Sequence, residues 1–192
     1  MSPGASTLLI VPGLRDHVDE HWQTLLAAKL AQTCEVRTVP PLGRKNLSCG
    51  ERVRAIQRAL QAIDGPVILV AHSGGVITVA HWAQSYERAD IAGALLAAPA
   101  DLETPLPEGY PTVEMLRAHA WLPIPRKRLP FPSIVAASSN DPLASLQRVE
   151  QLALDWGSAC VHVGAVGHLN PASGFGAWPQ AEVLIAQLEC PG

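Results

Sequence analysis

The sequence is short of charge, of aromatic residues and of long apolar runs. Charged residues make up 16% of the 192 and aromatic ones 5%, and the formal net charge is −3. Such a chain has no general electrostatic attraction to nucleic acid or to an anionic membrane surface. No stretch approaches the ~20 uninterrupted apolar residues that span a bilayer. The opening Met1-Ser2-Pro3-Gly4 has neither the basic start nor the apolar run of a signal peptide, so a cytosolic location is the expectation. The four cysteines, Cys34, Cys49, Cys160 and Cys190, lie far apart, with no C-x-x-C pair and no Cys/His ligand spacing. They are expected as buried free thiols, with no disulfide framework, no metal site and no cofactor.

What remains is a chain that is 48% hydrophobic and long enough to bury a substantial core, most simply as one domain over residues 1–192. Short apolar runs alternate with segments of helical periodicity. Thr7–Val11 reads as a buried strand closed by Pro12-Gly13. Trp22, Leu25, Leu26 and Leu30 then recur at helical spacing, with Asp16 or Asp19 as the cap. Cys34–Val39 is a more polar strand, expected nearer a sheet edge. Ser48 and Glu51 form a capping-box pattern ahead of Val53, Ile56, Leu60 and Ile63. Val67–Ala71, Ile91–Ala97, Ser133–Ser138 and Ala159–Val163 complete six strands, and Pro179 opens a terminal helix. Strands apolar on both faces with helices between them predict a mostly parallel six-stranded sheet in an α/β fold, a three-layer α/β/α sandwich. In such sheets a ligand site lies beyond the carboxyl ends of the strands.

One of those ends carries Val67-Ile68-Leu69-Val70-Ala71-His72-Ser73-Gly74-Gly75. An apolar strand ends at a small residue, presents a serine and passes through two glycines into a helix. A nucleophile elbow needs this arrangement, because a larger side chain would clash where the chain doubles back. The usual pattern is G-x-S-x-G; here Ala71 takes the first place and remains small enough for the turn. Read alone, the pentapeptide also fits a corner whose serine merely caps a helix.

Two further strand-end loops supply what a serine needs to become a nucleophile. Ser139-Asn140-Asp141-Pro142 follows one strand, and Gly167-His168-Leu169-Asn170 follows the last. The order Ser73, Asp141, His168 is the order used by α/β-hydrolases. An imidazole must take the hydroxyl proton, and a carboxylate must fix its tautomer. Asp101, after the Ile91–Ala97 strand, is the rival acid; Asp141 is favoured because its Asp-Pro turn leads directly into a helix. His162 lies within a strand and is expected to be packed or hydrogen-bonded. His72 is read as a packing or supporting residue. His17, His21, His81 and His119 have no supporting context as the base. The oxyanion hole is expected from the backbone N–H groups of Gly74 and of Leu14 in the loop Pro12–Asp16, with Gly13 and His72 near the substrate. Residues 99–132 carry Pro99, Pro105, Pro107, Pro111, Pro123, Pro125, Pro130 and Pro132 and are expected to form a short stiff flap, walling the site with Leu116, Trp121 or Ile124. Arg126-Lys127-Arg128 reads as a solvated face.

These segments, together with Glu20-His21-Trp22-Gln23, resemble the small serine hydrolases of the YdeN and retinoblastoma-binding type. The resemblance runs through Val11–Leu14, Ala71–Gly75, Ser139–Pro142 and Gly167–Asn170, and so covers essentially the whole chain. It implies an α/β-hydrolase fold lacking the first two strands of larger relatives, with Ser73, Asp141 and His168 as the triad. The implied activity is hydrolysis of small esters. The expected enzyme is thus a serine hydrolase, a carboxylesterase by preference, with thioesterase, amidase and acyltransferase chemistry open to the same residues. The rival expectation is a protein that keeps the fold and acts by binding a protein or ligand. A monomer or weak homodimer is the expected state.

Overall fold

A computed structural model describes residues 6–15 and 18–189 of the chain. Asp16, His17 and Cys190, weighed above as a cap, a base and a thiol, lie outside the described residues. The elements run β1 (Thr7–Val11), α1 (Trp22–Leu30), β2 (Val36–Thr38), α2 (Cys49–Gln61), β3 (Val67–His72), α3 (Gly74–Ser85), β4 (Ile91–Ala97), α4 (Val113–Ala118), β5 (Ser133–Ala137), α5 (Leu146–Trp156), β6 (Ala159–His162) and α6 (Gln180–Glu189). The six strands form one sheet in the order β2-β1-β3-β4-β5-β6, and every pair is parallel. The α/β reading is correct, with β2 at an edge as its polarity suggested.

The period-two alternation of strand side chains sorts the core into two layers. Leu9, Val11, Leu69, Ala71, Leu96 and Val135 face α2, α3 and α5. Leu8, Ile10, Ile68, Val70, Leu95 and Ile134 face Trp22 and Leu26 of α1 and Leu184 and Leu188 of α6. Five-residue β1 and six-residue β3 are buried along their whole length, which is why they read as continuous apolar runs. Among the described residues no helix is long and apolar enough to cross a membrane.

Caps and edges bring the corrections. α1 is capped by His21, whose Nδ1 accepts from the Gln23 N–H, rather than by an aspartate. Ser48 does cap α2, accepting from the Glu51 N–H. The other half of the box is missing: the Ser48 N–H goes to Asn46 Oδ1, and Asn46 also holds Glu51. β6 is an exposed edge strand, so His162 projects to solvent, paired with Glu150 at 2.9 Å, and Cys160 is exposed rather than buried. Cys34 is half-buried, and Cys49 is buried as expected, its thiol pushed up to about 12 by burial.

Candidate active site

The sheet delivers its loops to one end, and the elbow is where β3 turns into α3. Ser73 has φ 56° and ψ −126°, a positive φ that a non-glycine residue adopts only when its surroundings enforce it. Its N–H bonds to the Ala97 carbonyl and its own carbonyl accepts from Val76, which fixes the turn from both sides. Gly75 is obligatory: a Cβ there would lie 2.5 Å from the Val11 carbonyl oxygen and 2.6 Å from that of Pro12. α3 can approach the end of β1 this closely only without a side chain. Ala71, packed with no exposure, shows that the first small position of the motif tolerates a methyl group.

His168 and Asp141 arrive from the loops after β6 and β5. His168 Nε2 lies 2.8 Å from Ser73 Oγ, and its Nδ1 lies 2.8 and 3.0 Å from the two carboxylate oxygens of Asp141. Both side chains are almost completely buried. A neutral imidazole that donates from Nδ1 to a carboxylate presents a bare Nε2 to the hydroxyl, the tautomer a general base requires. The loop around His168 is itself pinned. Asn140 Oδ1 accepts from the Gly167 N–H at 2.7 Å, and Ser173 Oγ accepts from the His168 N–H at 3.0 Å. Gly167, at φ +58°, makes that second bond possible, since a Cβ there would fall 2.5 Å from Ser173 Oγ.

His72 supports this loop from inside the sheet. Its Nε2–H donates to the His168 carbonyl at 2.8 Å, and its ring sits 4.6 Å from that of His21. Burial, then the neighbouring His168 and His21, holds its pKa well below the ordinary histidine value, so it remains neutral. Gln23, named above only within the Glu20–Gln23 segment, has a structural task. Its buried amide donates to the carbonyls of Val11, at 3.1 Å, and Val70, at 2.9 Å, clamping the end of β1 to β3. Leaving those carbonyls unpaired would cost roughly 1–3 kcal/mol each.

A cavity of ≈ 210 Å³ opens onto Ser73. Gly13, Leu14, His21, His72, Gly74 and His168 line it, with Leu102, Leu106, Tyr110 and Leu143 as apolar walls and Arg15 and Arg44 among the polar lining. Gly13 and Leu14 lie against the elbow: a Cβ on Gly13 would sit 3.3 Å from Ser73 Cβ, and the Leu14 side chain covers Gly74. The wall expected from Leu116, Trp121 and Ile124 is not there. All three are buried in the core on the α2–α3 side, where Trp121 Nε1 donates to the Leu47 carbonyl at 2.7 Å. The earlier half of the proline-rich segment reaches the cavity instead, and Arg15 stacks over the Tyr110 ring at 4.6 Å.

Asp101, the rival acid, points elsewhere. It accepts from the Glu103 N–H and the Thr104 hydroxyl and pairs with Arg148 at 3.3 Å. Arg126 is not simply solvated either; it bridges Glu103 and Asp155. Among the described residues no group of three or more His, Cys, Asp or Glu side chains is arranged to hold a metal ion.

Comparison with known proteins gives the family and the fold. The family model described as serine hydrolase matches residues 8–187. A solved structure described as a YdeN-like hydrolase from Pectobacterium atrosepticum is 32% identical, with a TM-score of 0.77 over 95% of this chain and 89% of that one. The ydeN gene product of B. subtilis, at 17% identity and a TM-score of 0.73, shares the fold over 96% of this chain and 98% of its own. Est1E from Butyrivibrio proteoclasticus, solved with ferulic acid bound, shares it at 13% identity and a TM-score of 0.70, over 96% and 87%. No curated protein sequence matches. With a family model spanning nearly its whole length, the chain belongs to the serine hydrolase family and is a hydrolase of the α/β-hydrolase fold.

Proposed function

We propose that the chain is a carboxylesterase that cleaves small acyl esters through an acyl-enzyme on Ser73. In the first half-reaction His168 Nε2 takes the Ser73 proton as Oγ attacks the ester carbonyl. The tetrahedral oxyanion is held by the Gly74 and Leu14 N–H groups, and His168 returns the proton to the departing alcohol. In the second half-reaction His168 takes a proton from water as the water attacks the acyl carbonyl; the Oγ–acyl bond then breaks, His168 returns that proton to Ser73 Oγ, and the acid is released. Asp141 keeps the imidazole in the correct tautomer throughout and stabilises it while it is charged.

The observation that carries this reading is the unbroken hydrogen-bonded line Ser73–His168–Asp141, buried beneath a cavity with apolar walls. The size of the cavity favours short acyl groups, and the chemistry needs only these side chains. Intact-mass spectrometry after exposure to a fluorophosphonate tests it, alongside turnover of p-nitrophenyl acetate and butyrate. The expected result is one adduct on the wild-type protein, none on Ser73→Ala and a strongly slowed one on His168→Ala. Ester turnover should vanish in Ser73→Ala while the fold persists. A folded wild-type protein that takes no adduct, or a Ser73→Ala variant that turns over esters normally, would sink the proposal.

A further inference from the structure

Arg52 is a buried charged residue that none of the steps above uses. It stands in the first turn of α2, outside the cavity lining, with its guanidinium on three main-chain carbonyls. Nη1 donates to Gly13 at 3.5 Å, and Nη2 donates to Leu14 at 3.3 Å and to Asn46 at 3.2 Å. Two of those carbonyls belong to the loop that packs on Ser73 and Gly74.

The Gly13–Leu14 and Leu14–Arg15 peptides are trans, so each N–H points opposite to the carbonyl of its own peptide unit. Drawing the Gly13 carbonyl toward Arg52 turns the Leu14 N–H away from it, and the Leu14 carbonyl does the same for the Arg15 N–H. A charge-assisted bond to a carbonyl also polarises that peptide, which makes its N–H a stronger donor. We propose that Arg52 is the positioning residue of the oxyanion hole: from behind the β1–α1 loop it aims and polarises the Leu14 N–H that receives the developing charge. This rests on the serine-esterase reading above. It assigns a task to a side chain that never touches substrate.

An oxyanion donor acts on the tetrahedral species and little on the ground state. The test therefore compares wild type, Arg52→Lys and Arg52→Ala in p-nitrophenyl butyrate turnover and in inhibition by an alkyl trifluoromethyl ketone. That inhibitor's hemiketal on Ser73 places an oxyanion in the hole. Loss of one oxyanion donor costs on the order of 10²–10³ in kcat in serine hydrolases. Arg52→Ala should fall by about 10–10² in kcat, since its loop is loosened rather than deleted, with KM little changed. Affinity for the trifluoromethyl ketone should fall by a similar factor. Arg52→Lys, which keeps the charge but cannot reach both carbonyls, should fall between, and added guanidinium should restore part of the Arg52→Ala rate.

A folded Arg52→Ala enzyme with wild-type kcat overturns the proposal, as does one whose kcat falls without loss of inhibitor affinity. If Arg52→Ala does not fold, Arg52→Lys decides, and wild-type kcat and inhibitor affinity there overturn it. A wild-type protein without turnover or adduct would instead bring down the underlying esterase reading, and is told apart by that control.

Discussion

Asp101 and Asp141 stand beyond the carboxyl ends of adjacent strands, β4 and β5, with side chains 6% and 1% exposed. Each accepts a backbone N–H two residues ahead, from Glu103 and Leu143. Their partners differ. Asp141 faces an imidazole that can gain and lose a proton. Asp101 faces the guanidinium of Arg148, which holds its charge at any working pH. Around Asp101 the neighbours are also ions: Arg148 meets Glu103, and Arg126 joins Glu103 to Asp155. Around Asp141 they are neutral, with His72 and Ser73 beyond His168. Burial of a carboxylate at a strand end is thus common to a lock and to a proton-handling site, and the partner decides which it is.

The sharpest way to break this contrast is to neutralise each aspartate without changing its shape. Asp141→Asn would let an amide N–H face His168 Nδ1, favouring the tautomer that carries its proton on Nε2 and cannot act as base. By analogy with Ser-His-Asp enzymes, kcat should fall by roughly 10³–10⁴ while the melting temperature hardly moves. Asp101→Asn should do the reverse. It leaves Arg148 a weaker partner and should cost ~1–3 kcal/mol, or a few degrees in Tm, with kcat retained within a few-fold. Steady-state kinetics and thermal unfolding on both variants read this out. A large kcat loss in Asp101→Asn with normal kinetics in Asp141→Asn would reverse the assignment.

The same contrast shows what could be read without coordinates. Ser73, Asp141 and His168 were legible because each sits on a strand-end loop with small or turn-forming neighbours, and chain order did the rest. Preferring Asp141 over Asp101 needed only the Asp-Pro turn, yet the reason Asp101 is excluded, Arg148 forty-seven residues on, has no local signature. Trp121 failed similarly. A large apolar side chain in a proline-rich segment suggests a cavity wall, but Glu103 accepts from the Ile124 N–H and fastens that half of the segment toward α5, away from the cavity. Gln23 and Arg52 act on main-chain carbonyls of Val11, Val70, Gly13 and Leu14 that the fold brings close and no spacing in the sequence encodes. His162 is bonded as expected, to Glu150, but on an exposed edge strand rather than within a packed layer.

The subtlest separation of the two clusters is by pH. Burial works against the ionised form of Glu103, but the Ile124 N–H and Arg126 outweigh it and hold the carboxyl below its ordinary value. Its contribution is therefore present above about pH 4.5 and is lost as pH falls through the lower folded-state value. His72 is also depressed, from 6.5, and here the unfolded chain takes up a proton that the folded chain refuses. Its cost is absent above pH 6.5 and grows as pH falls toward the folded-state value, with a slope of at most about 1.4 kcal/mol per pH unit. His81, lowered by burial although its bond to the Trp121 carbonyl works the other way, adds to this same upper limb. His72→Gln keeps an N–H for the His168 carbonyl but cannot titrate. Its denaturation free energy should decline less steeply than wild type below pH 6.5, with part of the slope left to His81. Glu103→Gln should leave the upper limb intact and flatten the lower one. If His72→Gln instead alters only the lower limb, the buried histidine does not carry the upper one, and the neutral character assigned to the Asp141 side of the sheet is wrong.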